Sequence, residues 1–193
     1  MAMVALAATS AFGATEEEEA ALAAPPPQTE AAPESPTAEP RSTGRGKRDC
    51  PPGYGCVTRQ KLPRYVSLKG SEARARRGPG SDHKVDWVYQ RPGLPMKVTA
   101  EYENWRRVED HEGAGGWMHY ALLSTSRTAL VTVDMADVLS APETGSVVAR
   151  MEMGVVARLH ECRVNWCRVS RDGVKGWMPK TSLWGVEPQE VFN

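Results

Sequence analysis

Four cysteines carry the sharpest chemical potential in this chain, and they fall in two local pairs, Cys50 with Cys56 and Cys162 with Cys167. Three uses compete for them. A thiolate nucleophile needs a base within reach and a third group to orient that base. His160 stands two residues before Cys162, and strand alternation would set both on one face. No catalytic signature surrounds that pair, and each cysteine has a nearer use with its neighbour. Zinc pairs usually read C-x2-4-C. Cys50 and Cys56 have five residues between them and lie in the Pro/Gly stretch CPPGYGC, whereas Cys162 and Cys167 have four between them. The even, paired count favours two disulfides in an oxidising compartment. The expectation is therefore no metal, no cofactor and no enzyme. His83, His111 and His119 show no ligand spacing and read as surface residues.

Chemistry of recognition is better represented. All six tryptophans lie between Trp87 and Trp184, so a core is expected in that part of the chain. Trp105 and Trp166 each follow an Asn at a turn. With Trp87, Tyr89 and Tyr102 they are the candidates for a ligand groove, since aromatics can stack on sugars or pack against extended peptides. The competing reading is that they cap the fold. Arg74 and Arg76 alternate with Ala73 and Ala75, as on a strand. They read either as solvated outward side chains or as a positive rim for carboxylates. Trp117 and Trp177, each between a Gly and a Met, read as core.

The elements that must position these residues follow from composition and pattern. Lys+Arg and Asp+Glu both number 24, so net charge gives no argument for nucleic acid or an anionic membrane. No phosphate-cradling glycine loop or RNA-binding aromatic motif occurs. No apolar run reaches the length of a transmembrane helix. Met1 to Ala14 is apolar and ends in small residues, like the later part of a secretory signal peptide, but lacks the preceding Lys or Arg. It is either a signal whose start is set too late or an Ala-rich stretch without meaning. Residues 15–60 read as a disordered linker. Glu16 to Glu19 form an acidic run, Pro25 to Pro40 recur among Ala, Glu, Ser and Thr, and little is available to bury. Arg41, Arg45, Lys47 and Arg48 then make a basic end, a solvated spacer or a contact for an anionic polymer.

From Tyr65 onward short alternating runs are broken by Gly, Pro, Asn and Asp, the pattern of short strands and tight turns. The region is also repeated. Gly93 aligns with Gly154 and Trp105 with Trp166 at an offset of 61, and Trp117 with Trp177 and Leu123 with Leu183 at an offset of 60. GLPMKVTAEYENWRRV (93–108) matches GVVARLHECRVNWCRV (154–169), and GWMHYALL (116–123) matches GWMPKTSL (176–183). Period two recurs in both copies, with Leu94, Met96 and Val98 on one face and Val155, Ala157 and Leu159 on the other copy's equivalent. Glu-Asn before Trp105 and Asp172-Gly173 mark hairpin turns. At the same offset Cys162 corresponds to Glu101 and Cys167 to Arg106, so an ion pair in one copy replaces a disulfide in the other, as cross-strand neighbours would. A loop that short would be stabilised by roughly 2 kcal/mol if unstrained.

The stretch EARARRGPGSDHKVDWVYQRPGLPMKV (72–98) resembles the opening of the bacterial Src-homology-3 (SH3-like) domain, in which a strand ends in Arg followed by Gly-Pro-Gly, here Arg76 and Gly78-Pro79-Gly80. Gly93, Trp105 and Gly116-Trp117 fit later positions of that pattern, with Met118 where Val is usual. The second copy keeps Gly154, Trp166, Gly176-Trp177 and Leu183-Trp184-Gly185 but departs at its start, where a first strand is expected around Ala129 to Val138. The resemblance implies an all-β protein of two tandem small barrels, each of five or six strands, at residues 61–126 and 127–187, with a tail at 188–193. It also implies a periplasmic or secreted binding module for peptidoglycan or a wall-associated peptide. The alternative is a scaffold in the same compartment, binding an extended or Pro-rich partner. Fold alone assigns neither role.

Overall fold

The computed structural model describes residues 50–193; the signal-like segment 1–14 and residues 15–49 of the linker lie outside the described residues. No α-helix occurs among the described residues, which form fourteen strands and two single 3-10 turns.

The first copy contributes β1 (Arg64–Leu68), β2 (Ala73–Arg76), β3 (Val85–Tyr89), β4 (Pro95–Tyr102), β5 (Trp105–Glu109), β6 (Gly115–His119) and β7 (Leu123–Ser124). The second contributes β8 (Thr128–Val131), β9 (Met135–Leu139), β10 (Val147–Glu152), β11 (Val156–Cys162), β12 (Trp166–Arg171), β13 (Val174–Pro179) and β14 (Leu183–Trp184). Strand order is β3-β2-β6-β5-β4-β1-β7 in one sheet and β10-β9-β13-β12-β11-β8-β14 in the other, the same order in both copies. The sheets have seven strands rather than five or six, because the two-residue strands β7 and β14 close back onto β1 and β8. The single strand expected around Ala129 to Val138 is two, β8 and β9, separated by a bend at 132–134.

Alternation places the core. Met96 and Val98 on β4, Val108 on β5 and Met118 on β6 are 0% exposed, as are Ala157, Val169 and Met178 in the second copy. A register shift falls between Val98 and Ala100 in one copy and between Leu159 and Glu161 in the other. A bulge at the same place bends the long strand around the core in both barrels. Glu103 (φ 45) turns β4 into β5, and Asp172 (φ 48) with Gly173 (φ 85) turns β12 into β13, the left-handed pair a tight hairpin requires.

The Gly-Trp-Met motif divides differently from the expectation. Met118 and Met178 fill the cores, while Trp117 is half-buried and Trp177, though 8% exposed, stands outside the core cluster beneath the Arg163 guanidinium at 4.6 Å. Adjacent strand residues face opposite ways, so one of the two had to leave the core. The glycine is required by a strand crossing. A Cβ on Gly116 (φ 151) would meet the Arg76 carbonyl oxygen at 2.6 Å, and one on Gly176 would meet that of Leu139 at 2.6 Å.

Two segments outside the repeat are folded onto it. Residues 50–60, the end of the expected disordered linker, form with Lys61 and Leu62 a loop closed by the Cys50–Cys56 disulfide and a Tyr54–Lys61 bridge. Its anchor is Glu101, whose carboxylate accepts hydrogen bonds from Val57 N (3.1 Å), Thr58 N (2.9 Å) and Thr58 Oγ1 (2.6 Å). The tail also returns to the second barrel, where Phe192 exchanges both backbone hydrogen bonds with Cys162 (2.8 and 3.0 Å).

Candidate functional site

The cysteines resolve first. Cys162 lies opposite Cys167 in the β11–β12 register and is bonded to it, and Cys50 is bonded to Cys56. Neither pair offers a free thiol, and the His160 ring nitrogen Nε2 hydrogen-bonds Ser170 Oγ at 2.6 Å instead. In the first barrel Glu101 and Arg106 hold the same cross-strand register, with Arg106 Nε 3.5 Å from Glu101 Oε1. Arg64 Nη2 joins them at 2.9 Å, and the Glu101 side chain is 0% exposed. Burial pushes the Glu101 carboxyl up, but the Thr58 hydrogen bonds and the charges of Arg106 and Arg64 outweigh it and hold the group below the ordinary carboxylate range.

Three of the residues singled out in the sequence meet in one place. Arg74 and Arg76 on β2 and Trp105 on β5 line a cleft of about 250 Å³ with Glu72, His119 and Leu122. Arg74 Nε donates to Glu72 Oε1 at 2.9 Å, while the side chain stays 59% exposed. Arg76 Nη1 donates to the His83 carbonyl at 2.6 Å, which ties the cleft edge to the loop after Gly78-Pro79-Gly80. His119 lies opposite Trp105 in the β5–β6 register, with its ring edge-on at 5.6 Å. Its Nδ1 also accepts from Ala121 N at 3.3 Å and so caps the 3-10 turn Tyr120–Leu122. His119 therefore belongs to the cleft and is not an ordinary surface residue. Counting by two from Gly-Trp-Met would have placed it on the outer face beside Trp117.

The other aromatics do not converge there. Tyr102 is the cross-strand neighbour of Trp105 but is 53% exposed and outside the cleft. Trp87 is half exposed on the edge strand β3. Tyr89 ties β3 to the β5–β6 turn, with its hydroxyl 3.1 Å from Asp110 Oδ2 and 3.1 Å from the Ala114 carbonyl. Burial, then the Asp110 charge, pushes this phenol above the ordinary tyrosine range.

Trp166 occupies the equivalent place in the second barrel. It faces Pro179 across the β12–β13 register and lines a cleft of about 370 Å³ with Lys180, Leu183 and Val186. The arginines are not repeated. Arg76 pairs with Trp117 where Leu139 pairs with Trp177, so Leu139 and Asp137 stand where the first barrel has Arg76 and Arg74. The Lys180 ammonium is already engaged, donating to the carbonyls of Pro188 (3.0 Å) and Glu190 (2.6 Å).

Twin seven-stranded barrels of one topology, each with an aromatic cleft beside its 3-10 turn, define a tandem small-barrel protein. The chain belongs to the bacterial SH3 domain family, whose model matches it twice, over residues 69–125 and 132–185. No curated protein matches it. Among solved structures it is similar to NlpC2 from Trichomonas vaginalis, with a TM-score of 0.31, 11% identity, and coverage of 63% of this chain and 48% of that one. NlpC1 from the same organism gives a TM-score of 0.31 and 12% identity over 67% of this chain and 48% of that one. The chain thus spans about half the length of those structures.

Proposed function

We propose that this chain is an envelope binding module, periplasmic or secreted, that recognises peptidoglycan or a wall-associated peptide without catalysing a reaction. The observation that carries this reading is the meeting of Arg74, Arg76 and Trp105 in one cleft. An aromatic face offers a surface for a sugar ring or peptide, and guanidinium groups beside it suit carboxylates. Two disulfides support an oxidising location. Among the described residues no helix is long and apolar enough to cross a membrane.

The test is co-sedimentation of the full chain with protein-free peptidoglycan. Saturable binding is expected, weakened about tenfold or more in Trp105→Ala, whose fold is checked by near-UV circular dichroism. Trp166→Ala should weaken it less, because the second cleft lacks the arginines. Absence of saturable binding refutes this reading. It would favour a scaffold that takes an extended partner along β3, an edge strand with Trp87 and Val88 half exposed.

A further inference from the structure

The two copies differ in charge along one row of their outer faces. In the first barrel Lys97 on β4 faces Glu109 on β5, and Glu109 faces Gly115 on β6. At the offsets of 61, 61 and 60 that relate the copies, these positions become Arg158 on β11, Ser170 on β12 and Lys175 on β13, again directly opposed. A row of one cation and one acid has become two cations with a hydroxyl between them. Directly opposed side chains share a face with Cβ atoms about 5 Å apart, so an anion over Ser170 lies within reach of both cations. Arg168, two residues before Ser170 on β12, adds a third cation to that face.

No neighbour cancels this charge. Arg158, Arg168 and Lys175 are exposed, and none of them has an ion-pair partner among the described residues. Glu161, opposite Arg168, holds Arg163 at 2.9 Å instead, and Asp172 holds Arg171 at 2.9 Å. The surplus reaches His160, whose ring is pushed below the ordinary imidazole range by burial first and then by Arg158, Lys175 and Arg168. His160 Nε2 meets Ser170 Oγ at 2.6 Å. A neutral ring that donates Nε2–H there leaves the Ser170 hydroxyl hydrogen free to donate outward.

Arg158, Ser170 and Lys175 line a cleft of about 310 Å³ together with Pro92 and Gly93 of the first barrel and the balanced pair Arg171–Asp172. Its volume lies at the small end of the range for small-molecule sites. It shares no residue with either tryptophan cleft. A phosphomonoester carries close to two negative charges and three acceptor oxygens, which matches two cations and a hydroxyl. A carboxylate carries one charge and is satisfied by a single guanidinium. We infer that this cleft binds a small phosphomonoester, its phosphate held between Arg158 and Lys175 with Ser170 donating from below.

The experiment is a nuclear magnetic resonance titration of the full chain at constant ionic strength and slightly alkaline pH, following the Ser170 amide and the His160 ring. The probes are glycerol phosphate and glycerate, its carboxylate counterpart. Glycerol phosphate is expected to shift both signals saturably, and glycerate to bind at least about fivefold more weakly. Ser170→Glu restores the acid of the first barrel and should weaken glycerol phosphate about tenfold or more. Glu109 shows that this row accommodates a glutamate. Arg158→Gln and Lys175→Gln, both at exposed positions, should each weaken it about fivefold. Trp105→Ala with Trp166→Ala should leave it unchanged, even where that change removes binding to peptidoglycan. The inference is overturned if glycerol phosphate gives no saturable shift or if glycerate binds as tightly. It is equally overturned if Ser170→Glu or both glutamine variants bind like the parent, or if the tryptophan variant loses the interaction.

Discussion

Glu101 is the residue on which the first barrel's outer structure turns. It occupies the position of a disulfide cysteine in the second barrel, and it holds two arginines and the 50–62 loop at once. Replacing it with Ala strands Arg106 and Arg64 beside a buried gap and should cost about 3–5 kcal/mol in denaturant unfolding. Because its folded pKa is depressed, Glu101 stabilises the protein above the ordinary carboxylate range. That contribution is lost as pH falls through the lower folded value. Glu190 shifts in the same direction, held down against its burial by Arg127, the Glu187 backbone and Lys180. The urea midpoint should therefore drop in acid, and amide exchange at Val57 and Thr58 should quicken first. A midpoint flat through the acid range would contradict this. The Glu101–Arg106 pairing was legible from the repeat offset. Its other partners were not, since Thr58 lies 43 residues away in a segment whose composition reads as unstructured.

At the scale of elements, the crossing of β2 and β6 sets the cleft. Gly116 lets Arg76 pass at backbone distance, and that passage brings Arg74 and Arg76 beside Trp105. Gly116→Ala combines a disfavoured backbone conformation with a clash against a carbonyl oxygen, and should cost about 1–3 kcal/mol. Gly113→Ala, with nothing within 4 Å of the added carbon, carries only the conformational part and should cost less. Thermal melts of the two variants decide the comparison, and equal losses would mean that the crossing is loose. Alternation, turns and the repeat were legible because each depends on residues close in sequence. The split of β8 from β9 was not, because that bend is held from elsewhere, by Thr132 N on the Ser182 carbonyl and Met153 N on that of Asp134.

Among the described residues the two barrels are separate sheets that touch through a few side chains. Thr128 Oγ1 donates to the Gly93 carbonyl at 2.7 Å, and Arg91 Nη2 donates to that of Gly154 at 2.5 Å, the equivalent glycine one repeat later. Arg127 also lies 6.0 Å from the Tyr65 ring. A single calorimetric transition is expected, with van't Hoff and calorimetric enthalpies equal. Arg127→Ala should lower stability by about 2 kcal/mol while keeping one transition. Two separate endotherms in the parent protein would mean that the barrels fold independently.

By itself, the sequence determined the all-β class, the two copies, the strand faces and the cross-strand partners Glu101–Arg106 and Cys162–Cys167. Those follow from period two, turn chemistry and a constant offset, all of which are local or repeated. Tertiary structure alone decided that Trp105 stands with Arg74, Arg76 and His119 while Tyr89 and Trp87 stand apart. It also decided that the second cleft lacks arginines. A cleft gathers side chains from strands distant in the chain, and only the order in which the sheet closes brings them within reach.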